Sequence, residues 1–246
     1  MQNQNRSVVW AAVIIGLGLA LGGMFAGEGL VRARTAERIV TVKGVAEREV
    51  QAGLAIWPLR LSVSDNDLGR GHGKLAADVE RVKTFLARNG IDSGAVELQD
   101  FSVTDAFANQ YAPQGGIASR YVIRQTVMVR SNDPENILRT SQRIGELVAG
   151  GVVFSSGNEY GGGGPTFIFN GLGELKPKMI AEATAQARAA AEQFARDSKS
   201  RIAGIRRANQ GLFEIRPRDE AQGVREESQI NKTVRVVATV EYFLRD

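Results

Sequence analysis

The stretch that most constrains this chain is Val8 to Ala26, VVWAAVIIGLGLALGGMFA, an apolar run without a charged residue. A helix rises about 1.5 Å per residue, so a run of this length nearly matches a hydrocarbon layer of about 30 Å. Arg6 precedes it, and Glu28, Arg32 and Arg34 close it off. The pattern predicts a single-pass membrane anchor, with Val8, Trp10, Ile14, Leu17, Leu19, Leu21 and Phe25 supplying its bulk. A cleaved secretory signal is the competing reading, because the charged start fits and Ala20-Leu21-Gly22 is a passable small-x-small site. A buried core helix is the third, disfavoured because a wholly apolar helix at an extreme terminus has few neighbours to cover it. Gly18-xxx-Gly22 matches a helix-contact pattern, a weak sign where glycine is common anyway.

Charge does not settle orientation. Arg6 lies on one side of the run, and Arg32, Arg34 and Arg38 on the other. A literal positive-inside count leans towards a cytoplasmic domain, yet long domains translocate largely regardless of such differences. The division expected is an anchor and joint over residues 1–34 and one α+β domain over 35–246. With 43% hydrophobic and 24% charged residues, the chain can bury a core and is not a disordered type. Half of the net charge of +4 sits in residues 1–38, which hold four Arg and two Glu, so the domain lacks the basic excess of a nucleic-acid binder. The absence of cysteine excludes disulfides, thiol nucleophiles and zinc-thiolate sites.

Along the domain, Ile39–Gly44 and Leu54–Val63 read as strands, the second with Pro58 demanding an edge or a bulge. Asp65-Asn66-Asp67 supplies a turn and an N-cap for a helix from Leu68 to Asn89, on which Leu75, Val79, Val82, Phe85 and Leu86 recur at helical spacing. Ala95–Val103 alternates as a half-buried strand, and Arg120–Arg130 is a strong one. Asp133-Pro134 opens a helix expected to run through Val148, and Val152–Phe154 begins another strand. The longest helix is expected from Gly173 to Lys199, with Met179, Ile180, Ala183, Ala187, Ala190, Ala191 and Phe194 along its buried stripe. Ile202–Phe213 and Thr233–Leu244 are the closing strands, around a charged segment from Arg216 to Asn231. The fold class expected is α+β: antiparallel or mixed sheets with about three helices, in a rhythm that suggests two related halves.

No catalytic constellation emerges. Gly69–Lys74 fails as a phosphate loop, because Leu68 and Leu75 stand where a glycine and a hydroxyl residue are needed. Asp65–Asp67 fails as a calcium loop, with Arg70 and Ala76 at the glycine and glutamate positions. His72 is the single histidine, and no G-x-S-x-G elbow exists. Asp100 with Asp105, and Glu226 with Glu227, read as solvated charge. Neither enzyme activity, cofactor nor metal is expected. Phe107, Tyr111, Tyr160 and Phe167 lie near the long loop 104–119 or the glycine tip 161–164, and are candidates to contact a ligand or a neighbouring subunit.

Val40-Thr41-Val42-Lys43-Gly44, the helix around Val79–Leu86, the strand Tyr121–Val129, Asp133 with Ile137-Leu138, the alanine-rich stretch Ala181–Ala195, Ile202–Ile205 and the strand Val236–Tyr242 occur in an order that resembles the SIMPL-domain family. The resemblance spans about Ile39 to Phe243. The chain departs from the family's pattern at Gly69–Gly73 in the first helix. The resemblance implies an exported domain behind one hydrophobic segment, with no established catalytic residues to carry over. It also implies periplasmic or envelope proteins that build large homo-oligomers, with some members linked to oxidative-stress tolerance. The expected function is therefore a non-enzymatic protein of the inner membrane, anchored in the bilayer through residues 8–26, its C-terminal domain in the periplasm and its main partner itself, without nucleic acid. The alternative is a periplasmic binding module that captures a small ligand or protein through its long loops.

Overall fold

The computed structural model describes residues 16–18, 20–24, 38–108, 119–155 and 163–245. Of the apolar run, residues 16–18 and 20–24 are helical, and the rest lies outside the described residues. Among the described residues, no helix is long and apolar enough to cross a membrane. The domain that follows is a mixed α+β fold with antiparallel sheets. In order it has β1 (Ile39–Gln51), β2 (Leu54–Asp65), α1 (Leu68–Arg88), β3 (Val96–Asp105), β4 (Tyr121–Ser131), α2 (Pro134–Gln142) and α3 (Gly145–Ala149). Then come β5 (Thr166–Ile168), α4 (Leu172–Asp197), β6 (Arg201–Gln210), β7 (Glu214–Pro217) and β8 (Asn231–Arg245). One sheet has the order β3-β4-β2-β5, the other β1-β8-β6 with β7 also on β8. Contacts divide the chain into a central unit, Glu47–Lys178 with Phe213–Arg235, and a terminal unit made of the residues up to Ala46, Met179–Leu212 and those from Val236.

The central unit is built on period-two strands. Ala55, Trp57, Leu59 and Leu61 of β2 are buried, and so are Ile123, Val127 and Val129, their neighbours on β4. Helix α1 lays Leu75, Val79, Val82, Phe85 and Leu86 into the same cluster. Phe167, Ile137 and Leu147 join it from β5, α2 and α3. Each such side chain contributes about 1.5–3 kcal/mol when fully buried. The helix starts where Asp67 accepts the Arg70 backbone N–H at 2.7 Å, and it ends at Asn89 and Gly90, the latter at φ +77°. Gly71 permits its close seating, since a Cβ there would lie 2.8 Å from Ile123 Cδ1. Pro58 opposes Met128 on β4, while on the other flank β5 reaches only Ile56 and the next pairing is a bridge from Leu61 to Phe154. The proline thus occupies a gap, the locally edge-like position that a residue without an N–H requires.

The terminal unit is built on small residues. Ala183, Ala187, Ala191 and Ala195 recur every fourth position of α4 and are buried with Met179. Beneath them lie Val42 of β1 and Val240 and Tyr242 of β8. Gly44 shows how close the layers come: a Cβ there would sit 1.8 Å from the Ala183 carbonyl oxygen and 2.5 Å from the Ala187 nitrogen. Strand β8 alternates strictly, burying Val236, Ala238, Val240 and Tyr242. Strand β6 is an outer strand whose pairing slips between Ile202 and Gly204 and again between Ile205 and Arg207.

Several sequence expectations are corrected in detail. The buried row of α4 passes through Ala195, and Phe194, about 100° further back around the helix, is exposed. The helix expected from Asp133 through Val148 breaks in two. The Ser141 hydroxyl donates to the Leu138 carbonyl at 2.7 Å, and Gly145 is a poor helix former just beyond. The strand expected at Val152–Phe154 reduces to the bridge at Phe154. The strand expected from Ile202 to Phe213 ends at Gln210, and a separate strand, β7, pairs with the start of β8.

Candidate functional site

The surface that stands out in the central unit lies along β3 and the turn after it. Strand β3 ends its sheet, and most of it is exposed. Its apolar residues change parity: Val96 and Leu98 are even, Phe101 and Val103 odd. A bulge between Gln99 and Ser102 absorbs the change, with Asp100 at φ +54° and the Gln99 carbonyl held by the Gln125 side-chain amide at 2.8 Å. The shift returns Leu98 and Val103 to one face, opposite Val127 and Ile123. That face is the core face, yet Leu98 and Val103 are 46% and 42% exposed, and Phe101 is 53% exposed. The Phe101 ring meets His72 of α1 edge-on, with centroids 6.1 Å apart.

Phe107, 65% exposed, continues this strip in a single 3-10 turn. Its backbone N–H donates to Asp105 Oδ1 at 3.0 Å. The Arg120 guanidinium donates to Asp105 Oδ2 at 3.1 and 3.2 Å and stands over the rings of Tyr121 and Phe107, at 4.9 and 5.8 Å from their centroids. Beside it, Asp65 is buried at the end of β2 and accepts from Arg70 and from Lys74, the latter at 2.7 Å. The Arg70 guanidinium first, then Lys74, holds the Asp65 carboxyl well below the usual carboxylate range, and Arg120 lowers that of Asp105. These are ion-paired brackets that shape a turn. Neither carboxylate is tuned towards a neutral-pH acid or base.

Of the residues singled out in the sequence, Phe107 is exposed. Phe167 is not: it is 2% exposed and packed in the central core, so it has no surface to offer a partner. Tyr111 and Tyr160 lie outside the described residues, as do Val8, Trp10, Ile14, Leu19 and Phe25 of the apolar run. Leu17 and Leu21 are helical and exposed. Most of loop 104–119 and half of the glycine tip also lie outside them. Leu98, Phe101 and Val103 were missed because the segment reads as half buried; the parity change at Asp100-Phe101 was the available signal. Among the described residues, no cluster of three or more His, Cys, Asp or Glu is placed to hold a metal ion. Glu226 is not free surface charge, because it partners Lys232, whose side chain is fully buried and whose Nζ also donates to the Glu226 carbonyl at 2.6 Å. The alternation of β8 places Lys232 inward with Val234 and Val236.

A family model described as SIMPL, a protein of unknown function (DUF541), matches residues 40–242, most of the chain. The chain belongs to the SIMPL family. The match takes in both compact units, from within β1 to within β8, so the SIMPL domain here includes the β3 strip and the alanine-rich helix alike. No curated protein matches the chain.

Proposed function

We propose that this SIMPL protein is a non-enzymatic component of the cell envelope that associates with copies of itself. In this reading residues 8–26 anchor it in the inner membrane by a single pass, with the SIMPL domain on the periplasmic side. The observation that carries the self-association is the strip Leu98–Phe101–Val103–Phe107, four large apolar side chains displayed along one outer strand and its following turn. Large apolar side chains left exposed on an outer strand suit a contact site, and aromatic residues are enriched at the centres of such contacts. Anchoring favours lateral association, because copies held in one bilayer meet at high local concentration. A role in envelope or oxidative-stress tolerance belongs to the same proposal.

The test is the mass of the full-length protein solubilised in non-ionic detergent, beside a shortened chain that begins at Thr35. Discrete large species of both, reduced to monomer by Phe101→Ser with Phe107→Ser, support association through the strip. A strictly monomeric full-length protein refutes it. Large species of the full-length protein alone assign the association to the apolar run instead.

A further inference from the structure

Cationic residues gather at one end of the terminal unit. Strand β1 begins there at Ile39, just after Arg38, whose carbonyl accepts the Leu244 backbone N–H at 2.7 Å. Strand β8 ends there at Arg245, opposite Arg201, the first residue of β6. Helix α4 ends there too, and a tight turn joins it to β6. In that turn the Lys199 and Ser200 backbone N–H groups donate to the carbonyls of Arg196, at 3.1 Å, and Ala195, at 2.8 Å. By the alternation of β8, Arg245 and its neighbour Arg201 leave the sheet on the face away from α4, while Arg196 belongs to the helix. The cations thus flank the end on both sides. Arg196, Lys199, Arg201 and Arg245 are exposed and have no ion-pair partner among the described residues. Against them stand Asp197, which accepts from the Gln193 side chain at 2.9 Å, and, next in sequence, Asp246. Phe194, in the last turn of α4, is 58% exposed among them, and Ile39 is exposed as well.

We propose that this end of the terminal unit lies against anionic phospholipid headgroups of the bilayer that holds the apolar run. The inference rests on the anchored reading of residues 8–26 and is independent of self-association, which concerns the strip in the central unit. Two observations point to that occupant. The first is where the chain enters. Residues 27–37 span at most about 40 Å even when fully extended, and the tether they form arrives at this end of the unit. Their own charges balance, Arg32 and Arg34 against Glu28 and Glu37, so the cationic excess belongs to the folded end. The second is complementarity. Basic residues beside a membrane are drawn to anionic lipid, and an exposed ring set among them adds apolar burial at headgroup level. A soluble carboxylate or phosphate would need converging donors, which the two sides of the sheet keep apart, whereas a field of headgroups meets each cation separately.

The test places the full-length protein in nanodiscs of phosphatidylcholine alone or mixed with phosphatidylglycerol and follows hydrogen exchange by mass spectrometry. Exchange over residues 194–201 should slow about fivefold or more in the anionic discs relative to the neutral ones, while residues 210–212, at the far end of β6, are unchanged. High salt should erase the difference. Arg196→Gln, Lys199→Gln and Arg201→Gln together should abolish it, Phe194→Ser should reduce it, and Arg207→Gln, further along β6, should leave it. These side chains are all exposed, and an unchanged exchange profile in non-ionic detergent verifies folding. Equal exchange in the two kinds of disc, or slowing that survives the triple substitution or high salt, overturns the proposal and leaves the anchor standing. A full-length protein that does not enter nanodiscs refutes the anchor, and this inference with it.

Discussion

The two units solve the same packing problem with opposite materials. The central unit fills the space between sheet and helix with Trp57, Leu59, Leu61, Phe85 and Phe167. The terminal unit removes the space, bringing the backbone of α4 down onto Gly44 through a row of alanines. A core of large side chains depends on atoms being present, and one of close backbone contact depends on atoms being absent. The first is therefore sensitive to deletion and the second to addition.

Phe167→Ala should be the most damaging change, costing about 3–5 kcal/mol through lost burial and the cavity left behind. Denaturant titration checks it, with hydrogen exchange to locate the effect. The contrast sharpens if protection is lost over α1 and β4 while the amides of Ala183–Ala191 keep theirs. It breaks if both regions exchange together. The reciprocal change, Ala187→Leu, should cost about 1–3 kcal/mol, because the added atoms meet β1 at its closest approach. Ala189→Leu on the exposed side of the same helix should stay within about 0.5 kcal/mol. Equal effects from the two substitutions would show that α4 is not held by backbone proximity.

The next effect is local. Asp67 caps α1 by accepting from Arg70 N, so Asp67→Ala should cost about 1 kcal/mol, read from the midpoint of chemical unfolding. Because Asp133 does the same for α2 by accepting from Asn136 N, Asp133→Ala serves as the matched case. A cap loss that instead lowered protection mainly in α4 would count against treating the units as separate.

Much of this architecture is legible in the sequence, and the reasons differ by unit. Helix α1 is readable from end to end because cap, apolar period and terminal Asn89-Gly90 agree. The alanines of α4 announce close packing, but not which row is buried. Their small side chains give nearly the same apolar signal on several helix faces, and Phe194 was assigned to the wrong one. Phe167 was misplaced for the opposite reason. It follows a glycine-rich tip, and composition at that point says loop, whereas only the pairing of Ala55 with Phe167 carries it inward. The exposed strip on β3 depends on a helix not extending over the strand, which no local pattern encodes. Lys232 escapes the sequence reading because the strand is expected to begin at Thr233, which leaves the lysine in the charged segment, whereas β8 begins at Asn231 and turns Lys232 inward beside Glu226.

The smallest effect is confined to acid and again separates the units. Among the described residues, the carboxyls held below their ordinary range are Asp65, Asp105 and Asp219, by Arg70, Arg120 and Arg218 respectively, and all three lie in the central unit. A carboxyl with a lowered pKa in the folded state binds fewer protons there than in the unfolded chain. Its stabilisation is complete above the ordinary carboxylate value of about 3.9 and fades as the pH falls below that towards the folded value. Stability should therefore be flat in this respect from pH 7 to about 5 and decline below about 4. Asp65→Asn should lower the plateau slightly and make the acid limb shallower, because one of the protons taken up on unfolding is gone. Arg70 and Lys74 are more than half exposed, so water screens much of what the cluster contributes. Hydrogen exchange at pH 3 should accelerate in β2 and β4 before it does in α4. Asp65→Asn with an unchanged acid limb would assign that sensitivity to the other two carboxyls, and acid loss beginning in α4 would place it outside the central unit altogether.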